Sequence, residues 1–214
     1  NEFLIKNPTL KVGTEANKQD ENLIRKSELL VNLGRMDEAS EVLDTAKILF
    51  PNNSNIELQQ LRIFIDTKDN NSAINILESL TSKITTRIDL FLVMGQIYSE
   101  MKQADKSYEA YKKALSIDPK SINALYGIGA YYVNKSNKYV QEHNNLDASK
   151  TNSKEGQGVL TEINKSFDKA IYYFELLLEV DPKDRSTLNA LKKIYTMKKD
   201  QAKVDEINHK LISE

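Results

Sequence analysis

Residues 88–121 read IDLFLVMGQIYSEMKQADKSYEAYKKALSIDPKS, from Ile88 to Ser121, and this stretch decides the fold. Counted from Ile88 as position 1, Phe91, Met94, Gly95 and Tyr98 fall at 4, 7, 8 and 11, one face of a helix. Ser107, Tyr111 and Ala114 fall at 20, 24 and 27 on a second helix, and Pro119 at 32 closes it. Small residues at 8, 20 and 27 let the two helices approach closely. Bulky ones at 4, 7, 11 and 24 fill the space to the next unit. The stretch therefore predicts a helix–turn–helix unit of 34 residues.

The same register extends outward. Pro51 precedes Pro119 by 68 residues, twice the unit length. Residues 20–53 place Gly34 at 15, Ala39 at 20, Leu43 at 24, Ala46 at 27 and Pro51 at 32. Residues 54–87 keep the length in degenerate form, with Leu61, Phe64, Ala73, Ile76, Leu77 and Leu80 carrying the pattern and Thr85 standing where proline is expected. Residues 122–184 hold Leu125, Ile128, Gly129 and Tyr132 in the first helix, then Ala170, Phe174, Leu177 and Pro182 in the second, with 29 extra residues between.

That insert, about 134–164, continues one stripe through Tyr132, Ser136, Tyr139, Val140 and His143 and faces it with Leu160, Ile163 and Phe167. Both helices are expected to lengthen into a coiled hairpin. Its exposed tip is expected at roughly 145–158, where small polar residues, Gly156 and Gly158 gather. Residues 185–214 carry Leu188, Leu191, Tyr195, Val204, Ile207 and Leu211 on an otherwise polar background, as a terminal capping repeat requires. Residues 1–19 are open to two readings. Glu2-Phe3-Leu4-Ile5-Lys6-Asn7-Pro8 suits the tail of an upstream repeat and equally an extended arm on the first helix, and Thr9 to Asp20 reads as loop.

Composition agrees. Seven Gly and four Pro in 214 residues are too few breakers for a loop-rich sandwich. No run approaches the roughly 18 apolar residues that span a bilayer, so membrane insertion is not expected. Lys and Arg (30) and Asp and Glu (31) are interspersed, without the basic stripe of a nucleic-acid binder. Cysteine is absent, which removes disulfides, thiolate metal sites and a Cys nucleophile. The chain begins at Asn1 without a hydrophobic signal core, as after removal of an export signal or trimming.

The repeated positions Gly34, Ala39, Ala46, Pro51, Gly95, Tyr98, Ala114, Pro119, Gly129, Ala170 and Pro182 resemble the tetratricopeptide repeat family over roughly residues 20–214. The lengthened hairpin followed by Leu188-Asn189-Ala190-Leu191-Lys192-Lys193-Ile194-Tyr195 looks like the C-terminal part of tetratricopeptide proteins common in Bacteroidetes bacteria. The resemblance implies an all-α, right-handed superhelical solenoid of antiparallel helix pairs, one pair lengthened by the insertion. It also implies a non-catalytic scaffold that binds a protein or peptide in its concave groove, as a monomer or weak homo-oligomer. The alternative is a structural assembly or self-association module of a larger cell-envelope complex, using the hairpin or an open end of the solenoid. Many such proteins are exported, so a bacterial periplasmic or envelope location is expected, with the cytoplasm as the alternative.

Chemistry has few candidates. His143 and His209 are the two histidines, and neither stands in a metal-ligand spacing such as H-E-x-x-H. Gly127-Ile128-Gly129 lies inside a helical pattern with no preceding strand, so close helix packing explains it better than a nucleotide loop. Gly156-Gln157-Gly158 lacks the Lys-Ser/Thr of a phosphate loop. Asn52-Asn53-Ser54 and Asn134-Lys135-Ser136 match the glycosylation triplet, which an Asn-rich chain produces by chance. No enzyme activity, cofactor or metal is expected.

Of ten tyrosines, Tyr126, Tyr131, Tyr132, Tyr139, Tyr172 and Tyr173 gather in one part of the sequence. Tyr132 reads as helix packing. Tyr126 stands at position 5, which faces the groove in the family the chain resembles. By the same correspondence the groove candidates are Arg62, Leu92, Gln96, Tyr126 and Ala130. The clamp that some family members use for a terminal carboxylate is missing, because position 9 reads Glu28, Arg62, Gln96, Ala130 and Lys193. An extended or helical segment with apolar anchors suits these positions better.

Overall fold

The computed structural model of the chain describes residues 12–212. Among them are eleven helices and no strand: α1 (Val12–Asn32), α2 (Met36–Leu49), α3 (Ser54–Asp66), α4 (Asn70–Lys83), α5 (Ile88–Glu100), α6 (Ala104–Ile117), α7 (Ile122–Asn144), α8 (Ala148–Thr151), α9 (Lys154–Val180), α10 (Arg185–Met197) and α11 (Gln201–Ile212). They fall into two compact units that divide after Thr85.

Two recurrent turns set the helix boundaries. Inside four of the pairs the first helix ends on a left-handed residue: Gly34 (φ 74°), then Lys68, Lys102 and Lys199 (each φ 58°). The residue after each of these donates its N–H five residues back, Arg35 to the Leu30 carbonyl, Asp69 to Phe64, Gln103 to Tyr98 and Asp200 to Tyr195, at 2.8–2.9 Å. This pattern satisfies the carbonyls that a helix end leaves without partners. Between pairs the chain makes a short turn. The Asn53 N–H reaches the Phe50 carbonyl at 3.1 Å, Ser121 reaches Asp118 and Asp184 reaches Asp181, both at 3.2 Å. Pro51, Pro119 and Pro182 stand second in these turns, where a fixed φ near −65° suits the backbone. After two of these turns a side chain caps the next helix: Asn53 accepts the Asn55 N–H at 2.9 Å and Asp184 the Thr187 N–H at 2.7 Å.

In the first unit Leu30, Ala39, Leu43, Ala46, Ile56 and Ile63 form a core shared by α1, α2 and α3. Its exception is Glu57, whose side chain is 3% exposed. Lys83 Nζ lies 2.9 Å and Lys47 Nζ 3.6 Å from its carboxylate, and the Ser79 hydroxyl donates to it at 2.8 Å. In the second unit one core runs from Ile128 and Tyr132 through Ile163, Phe167, Ala170 and Phe174 to Leu188, Leu191, Ile194 and Ile207.

The lengthened pair is α7 and α9. Val159, Ile163 and Phe167 of α9 are buried in a cluster with Ile128 and Tyr132 of α7, while Tyr139 and Val140 pack against it. The Ser136 hydroxyl, wholly buried, donates to the Ile163 carbonyl at 3.3 Å.

Two sequence expectations need correction. The loop expected over Thr9 to Asp20 is helical from Val12 onward. No proline follows Pro8 there, and once Leu30 is anchored in the core each further residue adds a helical hydrogen bond at little cost. The rest of residues 1–19 lies outside the described residues. The tip is also shorter than 145–158, because α9 begins at Lys154 and takes both glycines into its first turns. Ser153 caps this start by accepting the Gly156 N–H at 3.4 Å. A Cβ on Gly156 would lie 2.1 Å from the Thr151 carbonyl oxygen, so this glycine serves close approach to α8 rather than a turn.

Candidate functional site

The second unit carries a groove of about 600 Å³ along its first helices. Its floor is Tyr111, projecting from α6 between two glycines of the facing helices. A Cβ on Gly95 of α5 would stand 2.7 Å from that ring, and one on Gly127 of α7 would stand 2.4 Å from it. Only glycine on both sides admits the ring. Gly129 does the same for Phe174, whose ring lies 2.4 Å from where its Cβ would be. Helix packing thus accounts for Gly127-Ile128-Gly129.

Apolar walls come from Leu92 and Val93 of α5, Ile122 and Tyr126 of α7, and Leu177 of α9. Tyr126 is 38% exposed and its ring centroid lies 5.7 Å from that of Phe174, so the ring is supported from behind and open in front. Gln96, Asn123 and Ser186 supply polar groups, and Asp89 and Asp184 supply carboxylates. Arg87 donates two hydrogen bonds to Asp89 and holds that carboxyl below its ordinary range. Burial, with Glu100 nearby, pushes the Tyr111 phenol up. Neither lysine nor arginine stands among the lining residues. Such a surface accepts a large apolar side chain on its floor and hydrogen-bonds a backbone at its rim.

Of the sequence candidates, Leu92, Gln96 and Tyr126 meet in this groove. Ala130 lies one turn further along α7, half-buried and outside the lining. Arg62 is exposed on α3 of the first unit. Sequence reasoning treated Tyr111 as packing only. The signal that marks it is the pair of glycines bracketing an aromatic at position 24.

The first unit's own groove, about 470 Å³, is lined by α1 and α3 and differs in kind. Glu28 and Gln59 close on each other there, the Gln59 amide donating to the Glu28 carboxylate at 3.0 Å.

His143 is half-buried on α7 and His209 exposed on α11. Among the described residues no group of three or more His, Cys, Asp or Glu is placed to hold a metal ion. No described helix is long and apolar enough to cross a membrane.

Paired helices, recurrent left-handed turns and a side-chain groove define a helical-repeat scaffold. The family model for the tetratricopeptide repeat matches residues 88–121. Similar solved structures include MamA, with a TM-score of 0.69 at 16% identity, covering 91% of this chain and 90% of that one. YrrB, a tetratricopeptide-repeat protein with an unusual peptide-binding site, gives 0.64 at 16% identity over 94% and 90%. A tetratricopeptide repeat protein from Parabacteroides merdae gives 0.53 at 22% identity over 92% and 80%. Residues 88–121 therefore match a tetratricopeptide repeat, and the chain shares the fold of these repeat proteins. A curated relative is human protein O-mannosyl-transferase TMTC1, 24% identical over 191 residues. That match takes in 83% of this chain and 21% of the relative.

Proposed function

We propose that the chain is a non-catalytic scaffold whose second unit binds a peptide segment in the concave groove, with one large apolar side chain seated on Tyr111 and against Tyr126. The observation that carries this reading is the bracketed ring. Two helices give up side chains at Gly95 and Gly127 to place an aromatic floor beneath an open groove. The likeness in fold to YrrB supports it by analogy. Its test is titration of a partner captured by pull-down from the source cells. Tyr126→Ala should weaken binding about thirtyfold, the effect of about 2 kcal/mol expected of an aromatic anchor. Arg62→Ala should leave binding unchanged. Parental affinity in Tyr126→Ala, together with loss of binding on deleting the hairpin tip, would move the site to the hairpin.

One observation favours assembly as a second role. Position 10 of the repeat holds Ile63 in α3 and Ile194 in α10, 3% and 1% exposed within cores that include the preceding helix pair. The same position in α1 holds Leu29, 59% exposed, with Leu33 one turn on at 69%. Light scattering of the parent and of Leu33→Glu tests it: self-association lost in the variant supports a face that stacks on another chain, and a monomeric parent ends it. Residence in a bacterial envelope compartment belongs to the same proposal, and a chain without cysteine is compatible with it. Fractionation of the source cells checks it.

A further inference from the structure

Five of the ten tyrosines form one connected set of rings outside the groove. Tyr108 of α6 lies 4.6 Å from Tyr131 and 5.8 Å from Tyr132, centroid to centroid. Tyr132 lies 6.0 Å from Tyr173 with the rings nearly parallel at 12°, and Tyr173 lies 5.2 Å from Tyr172. Four of them border a cleft of about 930 Å³ between α6 and α9, which shares no lining residue with the groove. Leu, Ile, Val, Met and Ala are all absent from this lining, so its apolar surface comes chiefly from tyrosine faces. Packing alone does not explain the arrangement, since Tyr172 is 57% exposed.

We propose that this cleft is a second binding site, for a proline-rich segment in the polyproline II conformation that carries an acidic residue. Three features of the cleft lead there. Prolyl rings are flat and dock on aromatic faces, whereas an amphipathic helix seeks a groove with aliphatic walls, which this cleft lacks. Polyproline II has no internal hydrogen bonds, so its carbonyls need outside donors. Asn164 and the tyrosine hydroxyls line the cleft as donors. The α9 wall runs from Thr161 to Tyr173, about 18 Å at 1.5 Å per residue. That length takes about six residues of polyproline II at 3.1 Å each.

The acidic requirement follows from charge. Asp168, the one carboxylate in the lining, is bonded to Lys198 at 2.7 Å. Lys165 is paired with Glu162 at 3.5 Å, and Lys112, over the Tyr108 ring just outside the lining, with Glu109 at 3.6 Å, whereas the Lys169 ammonium stands over the Tyr132 ring at 5.0 Å. The cleft therefore presents positive charge beside its rings. This site is independent of the groove reading, so either can fail alone.

The test titrates a synthetic peptide of six consecutive prolines flanked by glutamates into the full chain, by calorimetry and by amide chemical shifts. Saturable binding with shifts on α6 and α9 is expected. Tyr172→Ala should weaken it at least tenfold with an unchanged circular dichroism spectrum, and Tyr126→Ala should leave it unaltered. Lys169→Gln should weaken the glutamate-flanked peptide while sparing a glutamine-flanked one, and it carries the test if Tyr172→Ala misfolds. Absence of saturation at millimolar peptide, equal affinity in both cleft variants, or preference for an aliphatic helical peptide or a soluble oligosaccharide would overturn the proposal.

Discussion

The two units build the same repeat frame and fill it differently. Position 24 holds Leu43 and Leu77 in the first unit and Tyr111 and Phe174 in the second. Position 8 follows suit, with Ser27 and Leu61 in the first unit and Gly95 and Gly129 in the second. A leucine at 24 is satisfied within its own core, since Leu43 and Leu77 are wholly buried. A ring is longer and enters only where the facing helix gives up its side chain. Once admitted it does more than pack, because Tyr111 reaches through to become the floor of a groove. The first unit, lacking that ring, leaves its groove to Glu28 and Gln59, which bond to each other. One exchange, glycine and aromatic for small or aliphatic residues, separates an open, ring-floored face from a face that is self-satisfied.

The largest way to break this comparison is to remove a ring. Phe174 is 1% exposed, so Phe174→Ala should destabilise the chain by about 3–5 kcal/mol in chemical denaturation. A smaller effect comes from closing the slot. Gly129→Ala places a methyl against the Phe174 ring, and overpacking of this kind costs about 1–3 kcal/mol. Ser27→Ala, at the matching position of the first unit, loses only a local hydroxyl bond to the Ile24 carbonyl and should cost about 1 kcal/mol or less. Equal costs at the two sites would mean that the glycine does not admit the ring.

Much of this was legible in the sequence, for a physical reason. Helix faces are written in a 3.6-residue period, so Phe91, Met94, Tyr98 and Ala114 announce one pair of helices. The groove residues Leu92, Gln96 and Tyr126 followed from repeat position, because equivalent positions of neighbouring first helices lie side by side. Tyr111 does pack against the core, as position 24 predicts, but periodicity shows which face a side chain leaves from, not how far its ring extends between two other helices. Ala130, a methyl one turn past Tyr126, stands outside the lining. Gly156 misled because glycine signals both a turn and a close approach, and only the Thr151 carbonyl distinguishes them. The α1 start at Val12 was hidden by weak local preference, which propagation from a packed helix overrides.

The first unit's substitute for aromatic packing is a buried charge, and acid sharpens that contrast. Burial raises the Glu57 pKa, but the hydrogen bonds from Lys83 and Ser79 and the charges of Lys83 and Lys47 outweigh it, so the carboxyl is held below the ordinary carboxylate range. A carboxylate with a lowered folded pKa contributes stability that is fully present above the unfolded value and is lost as pH falls through the folded one. Glu57→Gln should therefore cost about 1 kcal/mol at neutral pH. The difference from the parent should shrink as pH falls below about 4.5 and then vanish. Thermal melts from pH 7 to pH 2.5 would show it, and a constant gap across that range would mean that the ion pairs contribute nothing.

The smallest test concerns the turn that both units share. Gly34 occupies its left-handed position without strain, while Lys102 holds the equivalent position in the second unit at φ 58°. For a residue with a Cβ that conformation costs about 1–2 kcal/mol, because the Cβ crowds the following carbonyl. Glycine relieves the clash but loses more backbone freedom on folding, which offsets part of the gain. Lys102→Gly keeps the donor that the turn requires, since the Lys102 N–H bonds the Ser99 carbonyl at 3.0 Å through backbone alone. The net effect should be stabilisation of about 0.5–1 kcal/mol, a rise in melting temperature of about 1–4 °C for a chain of this size. Gly34→Lys should shift it by a similar amount in the opposite direction. If Lys102→Gly lowers the melting temperature, contacts of the lysine side chain outweigh its backbone strain, and the two turns are alike in geometry but not in energy.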